Sequence, residues 1–381
     1  LAGLAIIRLF LWSDGVPAPA EVTLSDVFDT EALAADRDFR RPIRALAVAA
    51  AFIPLIAGIA LIAFSRRIAG LLGRASALPT AAAGVVIGAG LAAAIGVVRL
   101  PLGALINERL RDGGVVRRGT GAWALDALQG IGVEVVVFAV AIGGLGLAVR
   151  YLPRVWPAAV AGGLMVIAVA VAFAAPLVIQ PLFENTRPVE DAALAAEIQE
   201  LADLAGVDVS EVVVNDAASR SRTFNARVEG IGATRRVVLF DTLIDEGDRD
   251  QLRWTVAHEL SHENHRHIAK GMTGYTLMMI PLALLAAGLV ALLTGSGPGR
   301  PDRLTALRRT AIAAGAIVVL MAVSAPIQNG VSRDYEAEAE CTALQITVVP
   351  LAAIRARAAS RSRARSDPDP PRALHLWFGS H

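Results

Sequence analysis

Six stretches of this chain are apolar for long enough that each, wound as a helix rising about 1.5 Å per residue, would cross the roughly 30 Å hydrocarbon core of a bilayer. They run Ala45–Ser65, Ala81–Leu100, Ile131–Val149, Trp156–Ile179, Met272–Leu293 and Thr310–Pro326. A shorter run, Leu1–Trp12, reads as the remainder of a first membrane helix and brings the expected number to seven. Composition agrees: of 381 residues, 55% are hydrophobic and only 19% charged, and the mean hydropathy is +0.54. A water-soluble fold of this size would have too little polar surface to cover itself. The Ala and Gly content of several spans suits close helix–helix approach. The net charge of +1 provides no footprint for nucleic acid, and the basic tract Arg361–Arg365 reads as a solvated loop or headgroup contact. Cys341 is the single cysteine, so disulfides within the chain and cysteine-held zinc are both excluded. Any metal must be held by histidine and carboxylate.

The spans divide the chain into a membrane region over 1–179, a polar segment over 180–270, two further spans over 271–327, and a second polar segment over 328–381. Seven spans place both polar segments on one side of the membrane. The first contains a helical pattern, Asp191 to Ala205, with Leu194, Ile198 and Leu201 on one face. Two strand-like runs follow, Glu211–Val214 and Arg236–Phe240, joined through a loop holding Gly230 and Gly232. Thr255 to His267 reads as one more helix.

That last helix carries Val256-Ala257-His258-Glu259-Leu260-Ser261-His262. Residues four apart share a helical face, so His258 and His262 can direct ring nitrogens at one ion, at the 2.0–2.1 Å usual for zinc. Glu259 sits beside the metal rather than on it, where a carboxylate can take a proton from an activated water and pass it to a leaving amine. A catalytic zinc needs three protein ligands and an open position. Beyond the last span, Ser332 to Glu340 forms a helix-prone run with three glutamates. Glu336 and Glu340 share a face, while Glu338 is turned about 200° away and is expected to meet solvent. Periodicity does not rank Glu336 over Glu340. His265 and His267 read as neighbours of the site or as surface groups rather than as a second metal site. His375 reads as a packing or surface residue, and Ser219, Arg220 and Arg222 as a solvated loop.

Several motifs in one order resemble the type I CAAX prenyl protease family of membrane gluzincins: His258–His262, Ser332-Arg333-x-x-Glu336-x-x-Ala339, and Asn225-Ala226 followed by Val238-Leu239-Phe240-Asp241-Thr242-Leu243. Pro181-Leu182-Phe183-Glu184-Asn185-x-x-Pro188, and Glu108-Arg109 through Trp123-x-x-Asp126, resemble two further family segments. The resemblance implies a mainly α, polytopic membrane protein of about seven helices around a chamber, capped by a zinc metalloprotease domain with a small β element. It also implies one Zn2+ per chain on His258, His262 and Glu336. Asn225 would then meet substrate backbone, and His381 would help stabilise the tetrahedral oxyanion. Glu340 stands where the family has an aspartate that would orient a ligating histidine. The family's aromatic loop is replaced here by Leu110 to Gly114.

The partners so implied are the lipid bilayer and peptide or membrane-protein substrates, lipidated ones among them, cut near a C-terminus. The Ala/Arg/Val-rich composition suggests a bacterial cell membrane. A general membrane quality-control metalloprotease is the alternative, against which the seven spans and the Phe240–Leu243 motif argue. A non-catalytic zinc-binding scaffold or transporter is disfavoured by Glu259, since a structural zinc takes four ligands and needs no acid beside them.

Overall fold

The computed structural model describes residues 29–74, 79–230, 232–295, 299–348 and 350–367, together with 371 and 377. Leu1–Trp12, His375 and His381 lie outside the described residues.

Each of the six apolar stretches lies mostly in one long helix, though Ala45–Ser65, Trp156–Ile179 and Thr310–Pro326 run a few residues past the ends of their helices. These are α1 (Thr30–Ala63), α3 (Thr80–Asp112), α4 (Thr120–Tyr151), α5 (Trp156–Ala174), α9 (His267–Thr294) and α10 (Arg303–Val323), with the short α2 (Ser65–Arg74) following α1. All six are long and apolar enough to cross a membrane; α5 is extended to Leu182 by a π turn and a 3₁₀ turn around Pro176 and Pro181. Their outer faces carry Ile56, Val136, Val166 and Leu292, each between 63% and 79% exposed, a surface only lipid can solvate. The chain is an integral, multi-pass membrane protein.

Inside the bundle, around a core that includes Leu91, Ile95, Ile142 and Ile312, the helices approach most closely where side chains are missing. A Cβ at Gly88 of α3 would stand 2.3 Å from the carbonyl oxygen of Phe138 on α4, and one at Gly84 would stand 2.7 Å from that of Ile142. Gly58 of α1 and Gly315 of α10 do the same for each other, at 2.8 and 2.5 Å. Apolar surface gains little by leaving lipid for protein, so close backbone approach and dispersion hold such helices together.

The polar segment folds as β1 (Thr186–Pro188), α6 (Ala192–Leu204), β2 (Glu211–Asn215), β3 (Ala226–Glu229), β4 (Arg236–Phe240), α7 (Asp241–Glu246) and α8 (Arg249–Asn264). The sheet order is β1-β2-β4-β3; β2 and β4 pair in parallel, and the edge strands β1 and β3 are antiparallel to their neighbours. The two strands expected from sequence are therefore the central ones. The edges have three and four residues, too few to show an alternating pattern. Ile198 and Leu201 of α6, Val237 and Leu239 of β4, and Val256 and Leu260 of α8 form one core, all fully buried. The second polar segment supplies α11 (Ala325–Thr347) and α12 (Pro350–Ala364), both packed on α8.

The resembling motifs turn out to be joints. The Asp241 carboxylate accepts from the backbone N–H groups of Ala217, Ala218 and Thr242 at 2.8–3.0 Å, and the Thr242 hydroxyl donates to the carbonyl of Thr223. Glu184 accepts from Asn215 and Arg227, fastening the end of α5 to the sheet. The loop after α3 bridges Val116 to Ser221, and Asp126 pairs with Arg118 and Arg220. Arg220 is thus a strut between bundle and domain, not a solvated loop residue.

The helix expected over Thr255–His267 is two helices. Helix α8 starts earlier, at a capping box of Asp248 and Gln251, and stops at Asn264. Arg266 adopts left-handed backbone (φ 54°), and His267 opens the membrane helix α9. Nothing in the pattern announces this break, because a non-glycine residue at positive φ carries no compositional mark.

Candidate metal centre

Helix α8 is buried on two faces. Leu252, Val256 and Leu260 enter the domain core, while Trp254 and Ala257 pack on Ala343 of α11 and on Ala353 and Ala356 of α12. The alanines bring α11 close, Ala339 and Ala343 being fully buried, and its register then sets Glu336 opposite the two histidines. His258 Nε2 lies 3.2 Å from His262 Nε2 and 3.3 Å from a Glu336 oxygen; the other Glu336 oxygen is 3.7 Å from His262 Nε2. Atoms bound tetrahedrally at about 2.0–2.1 Å stand about 3.3 Å from one another. Two neutral imidazoles and one carboxylate at such separations fit a divalent transition metal with one position left open.

Glu259, the next residue along α8, is half-buried at the same end of the domain. Asn225 is exposed and immediately precedes the edge strand β3, which packs beside α8. Its side-chain oxygen accepts from its neighbour's backbone N–H, and its carbonyl accepts from Phe240 N–H.

The acids beyond the ligand are arranged otherwise than the sequence suggested. Glu340 does not reach a ligating histidine; its carboxylate pairs with Arg357 of α12. The extra methylene relative to aspartate carries it across to the guanidinium. His258 Nδ1, the atom such an acid would meet, is buried without a hydrogen-bond partner. Glu338, expected at solvent, is buried instead, because the α8–α9 break folds His265 and His267 back over that face of α11. Its oxygens lie 3.2 Å from His265 Nδ1 and 3.0 Å from His267 Nε2, with Lys270 at 3.7 Å.

From Glu338 a chain of hydrogen bonds reaches His262, one of the three candidate ligands. With His262 Nε2 turned to the ligand cluster, its Nδ1 carries the proton and donates to His267 Nδ1 at 2.9 Å; His267 Nε2–H then donates to Glu338 at 3.0 Å. His267 stacks on Tyr335, ring centroids 4.4 Å apart. Burial, with Glu338 and Asp334 adding to it, pushes the Tyr335 phenol up to about 12, so this neighbour stays uncharged across physiological pH. The signal for this relay in the sequence was the close series His262, His265, His267, whose meaning depends on a backbone reversal that pattern does not show.

A profile of peptidase family M48 matches residues 188–381, the half of the chain that carries every element of this site. The chain is 37% identical over 94 residues to CAAX prenyl protease 1 of Saccharomyces cerevisiae, covering 24% of this chain and 21% of that protein. It is 32% identical over 108 residues to the uncharacterized metalloprotease YhfN of Bacillus subtilis, covering 28% and 25%. The matched stretches thus span about a quarter or less of the length of these curated relatives. The crystal structure of S. mikatae Ste24p superposes over 100% of this chain and 94% of its own, with a TM-score of 0.77 at 19% identity, which establishes a common fold. The chain belongs to peptidase family M48.

Proposed function

We propose that this protein is a zinc-dependent membrane endopeptidase, with one Zn2+ held by His258, His262 and Glu336. The observation that carries the reading is the set of three ligand atoms 3.2–3.7 Å apart, with an acid next in sequence to the first ligand. When bound, zinc supplies Lewis-acid polarisation of a water and of the substrate carbonyl. The chain's own residues do the rest. Glu259 takes the proton of the attacking water and returns it to the leaving amine, so no strong base is released. The hydrogen-bond chain through His267 to Glu338 holds His262 in the tautomer that leaves Nε2 free for the metal. The edge strand β3, preceded by Asn225, offers an extended peptide a strand to pair with, alongside α8. The substrates this arrangement suits are apolar, membrane-associated peptides cut near the C-terminus, lipidated ones included.

The test is metal content and hydrolysis of the purified protein in detergent. Wild type should carry about one zinc per chain and cleave an apolar peptide. Glu259→Gln should keep the zinc and lose 10²–10⁴-fold in rate, the usual contribution of a positioned acid–base group. A Glu259→Gln protein as fast as wild type, or a His258→Ala protein still fully loaded with zinc, would end this reading.

A further inference from the structure

The two ends of the helix bundle are charged differently. At the end that meets the metal domain, residues 29–44 hold four arginines and four carboxylates, and residues 105–126 hold four arginines and three carboxylates. At the opposite end, residues 61–80, 147–158 and 291–310 hold nine arginines and a single carboxylate, Asp302. That carboxylate caps α10, accepting from the Thr305 backbone N–H at 2.8 Å and from its hydroxyl at 3.0 Å. The three segments are the ends of α1, α4 and α9, the starts of α3, α5 and α10, and all of α2. Contacts join them into one rim. Arg303 donates to the carbonyl of Leu72 on α2 at 3.4 Å, Arg150 to that of Pro301 at 2.6 Å, and Arg308 to that of Leu293 at 2.6 Å. The Arg300 guanidinium lies over the Tyr151 ring, 4.8 Å from its centroid. Carbonyls and a ring hold these side chains in place but carry no net charge to offset theirs.

Helix α2 shows which way the charge faces. Its Ser65 and Ala69 are buried, Ala69 in a cluster with Ala83 of α3 and Leu307 of α10, against which Leu72 also packs. Arg66, Arg67 and Arg74 fall within one arc of about 100° turned away from that cluster, and all three are exposed. Phe64 and Leu71 are exposed beside them, at 49% and 64%. Arg154 and Arg300 are exposed as well. The links are short: one residue separates α1 from α2, and four separate α4 from α5. The guanidiniums on them are therefore held at the level of the lipid headgroups. Arginines interleaved with exposed aromatic and apolar side chains suit a membrane interface, where one side chain meets phosphate and the next meets acyl chain.

We propose that this rim, at the end of the bundle away from the metal centre, is a binding surface for anionic phospholipid headgroups. Arg66, Arg67 and Arg74 of α2, with Arg154 and Arg300 from the neighbouring links, take the phosphates, and Phe64 and Leu71 meet the acyl chains. A guanidinium grips a phosphate through two parallel hydrogen bonds. Each arginine beside an anionic lipid surface strengthens binding about fivefold. The metal-facing end carries its own carboxylates in nearly equal number, so the preference for anionic lipid belongs to this rim. The binding does not depend on the peptidase reading.

The experiment reconstitutes the full chain in phosphatidylcholine bilayers with a trace of spin-labelled phosphatidylglycerol or spin-labelled phosphatidylcholine. The fraction of each label immobilised at the protein gives their relative association. Wild type is expected to favour phosphatidylglycerol about fivefold or more at low salt. Most of that preference should vanish at about 1 M salt, where the screening length shrinks to about 3 Å. Replacing all three exposed arginines of α2 (Arg66→Gln, Arg67→Gln, Arg74→Gln) should bring the preference to within about twofold. The pair Arg154→Gln and Arg300→Gln, which leaves α2 intact, should lower it about twofold or more and decides the matter if the triple variant does not fold. Arg109→Gln with Arg111→Gln, at exposed positions on the metal-facing end of α3, should leave it unchanged. Thermal unfolding confirms that each variant is folded. Equal association of the two lipids with wild type, or a preference undiminished in the folded variants of the rim, overturns the proposal. An equal loss in the Arg109/Arg111 variant reduces the effect to net charge and also overturns it. Displacement of the immobilised lipid by inorganic phosphate at constant ionic strength identifies a soluble anion as the occupant, which overturns the lipid assignment.

Discussion

The helix bundle and the polar domain bury apolar side chains alike but differ in how closely their backbones approach. In the domain, contact comes from side chains that are present: Ile198, Leu201, Leu239, Val256 and Leu260 fill one core, and polar groups occupy the rim. In the bundle, Leu91, Ile95, Ile142 and Ile312 are buried too, but the closest backbone approaches come where side chains are absent, at Gly58, Gly84, Gly88 and Gly315, and many other large apolar residues face outward. Water drives the first and cannot drive the second, since lipid solvates Leu as well as protein does. Function follows the division. The candidate metal-site groups stand on elements locked by a dense core, and the apolar bundle supplies a chamber.

The sharpest way to break this comparison is to remove a ligand without disturbing the core. Glu336→Ala should leave the protein folded, empty of zinc and without measurable hydrolysis, because a two-histidine site no longer holds the ion. Zinc analysis that finds the variant fully loaded would show that the register of α11 had been misread. A smaller effect is expected one layer out. Glu338→Gln keeps a partner for His267 but removes the charge that fixes its tautomer, and zinc affinity should fall about 10–100-fold. Competition with a chelator measures this; unchanged affinity would reduce the relay to a packing contact.

The bundle should respond in the other currency, that of stability. Gly88→Val forces a side chain into the carbonyl of Phe138 and should cost about 1–3 kcal/mol or more, with zinc still bound in the folded fraction. A thermal melt at or above that of wild type would show that α3 and α4 do not meet as closely as described. The smallest effect belongs to Glu340→Gln. Its partner Arg357 is part-exposed, so loss of the pair is worth about 0–1 kcal/mol, and zinc loading should stay unchanged. Loss of zinc from Glu340→Gln would restore the ligand-orienting role that the sequence suggested.

Much of the architecture was legible in the residues. All six described spans coincide with long helices to within a few residues at their ends, since twenty consecutive apolar residues leave the chain little alternative to a helix in lipid. The two central strands and helix α6 were likewise visible, each being long enough to display its period. The edge strands β1 and β3 were not, and the single helix read over Thr255–His267 divided at Arg266.

The candidate site separates the two kinds of information most clearly. The pairing of His258 with His262 and the placing of Glu259 beside them follow from helical spacing alone, a property of five consecutive residues that no neighbour can alter. Choosing Glu336 over Glu340 was beyond spacing, because both lie on one face. The choice was made in the fold by the alanine contacts of α11 with α8, which set Glu336 at the histidines and left Glu340 to Arg357. The burial of Glu338 under His265 and His267 was decided the same way. Local sequence fixes which groups share a face of one element; which faces meet depends on every other element packed against them.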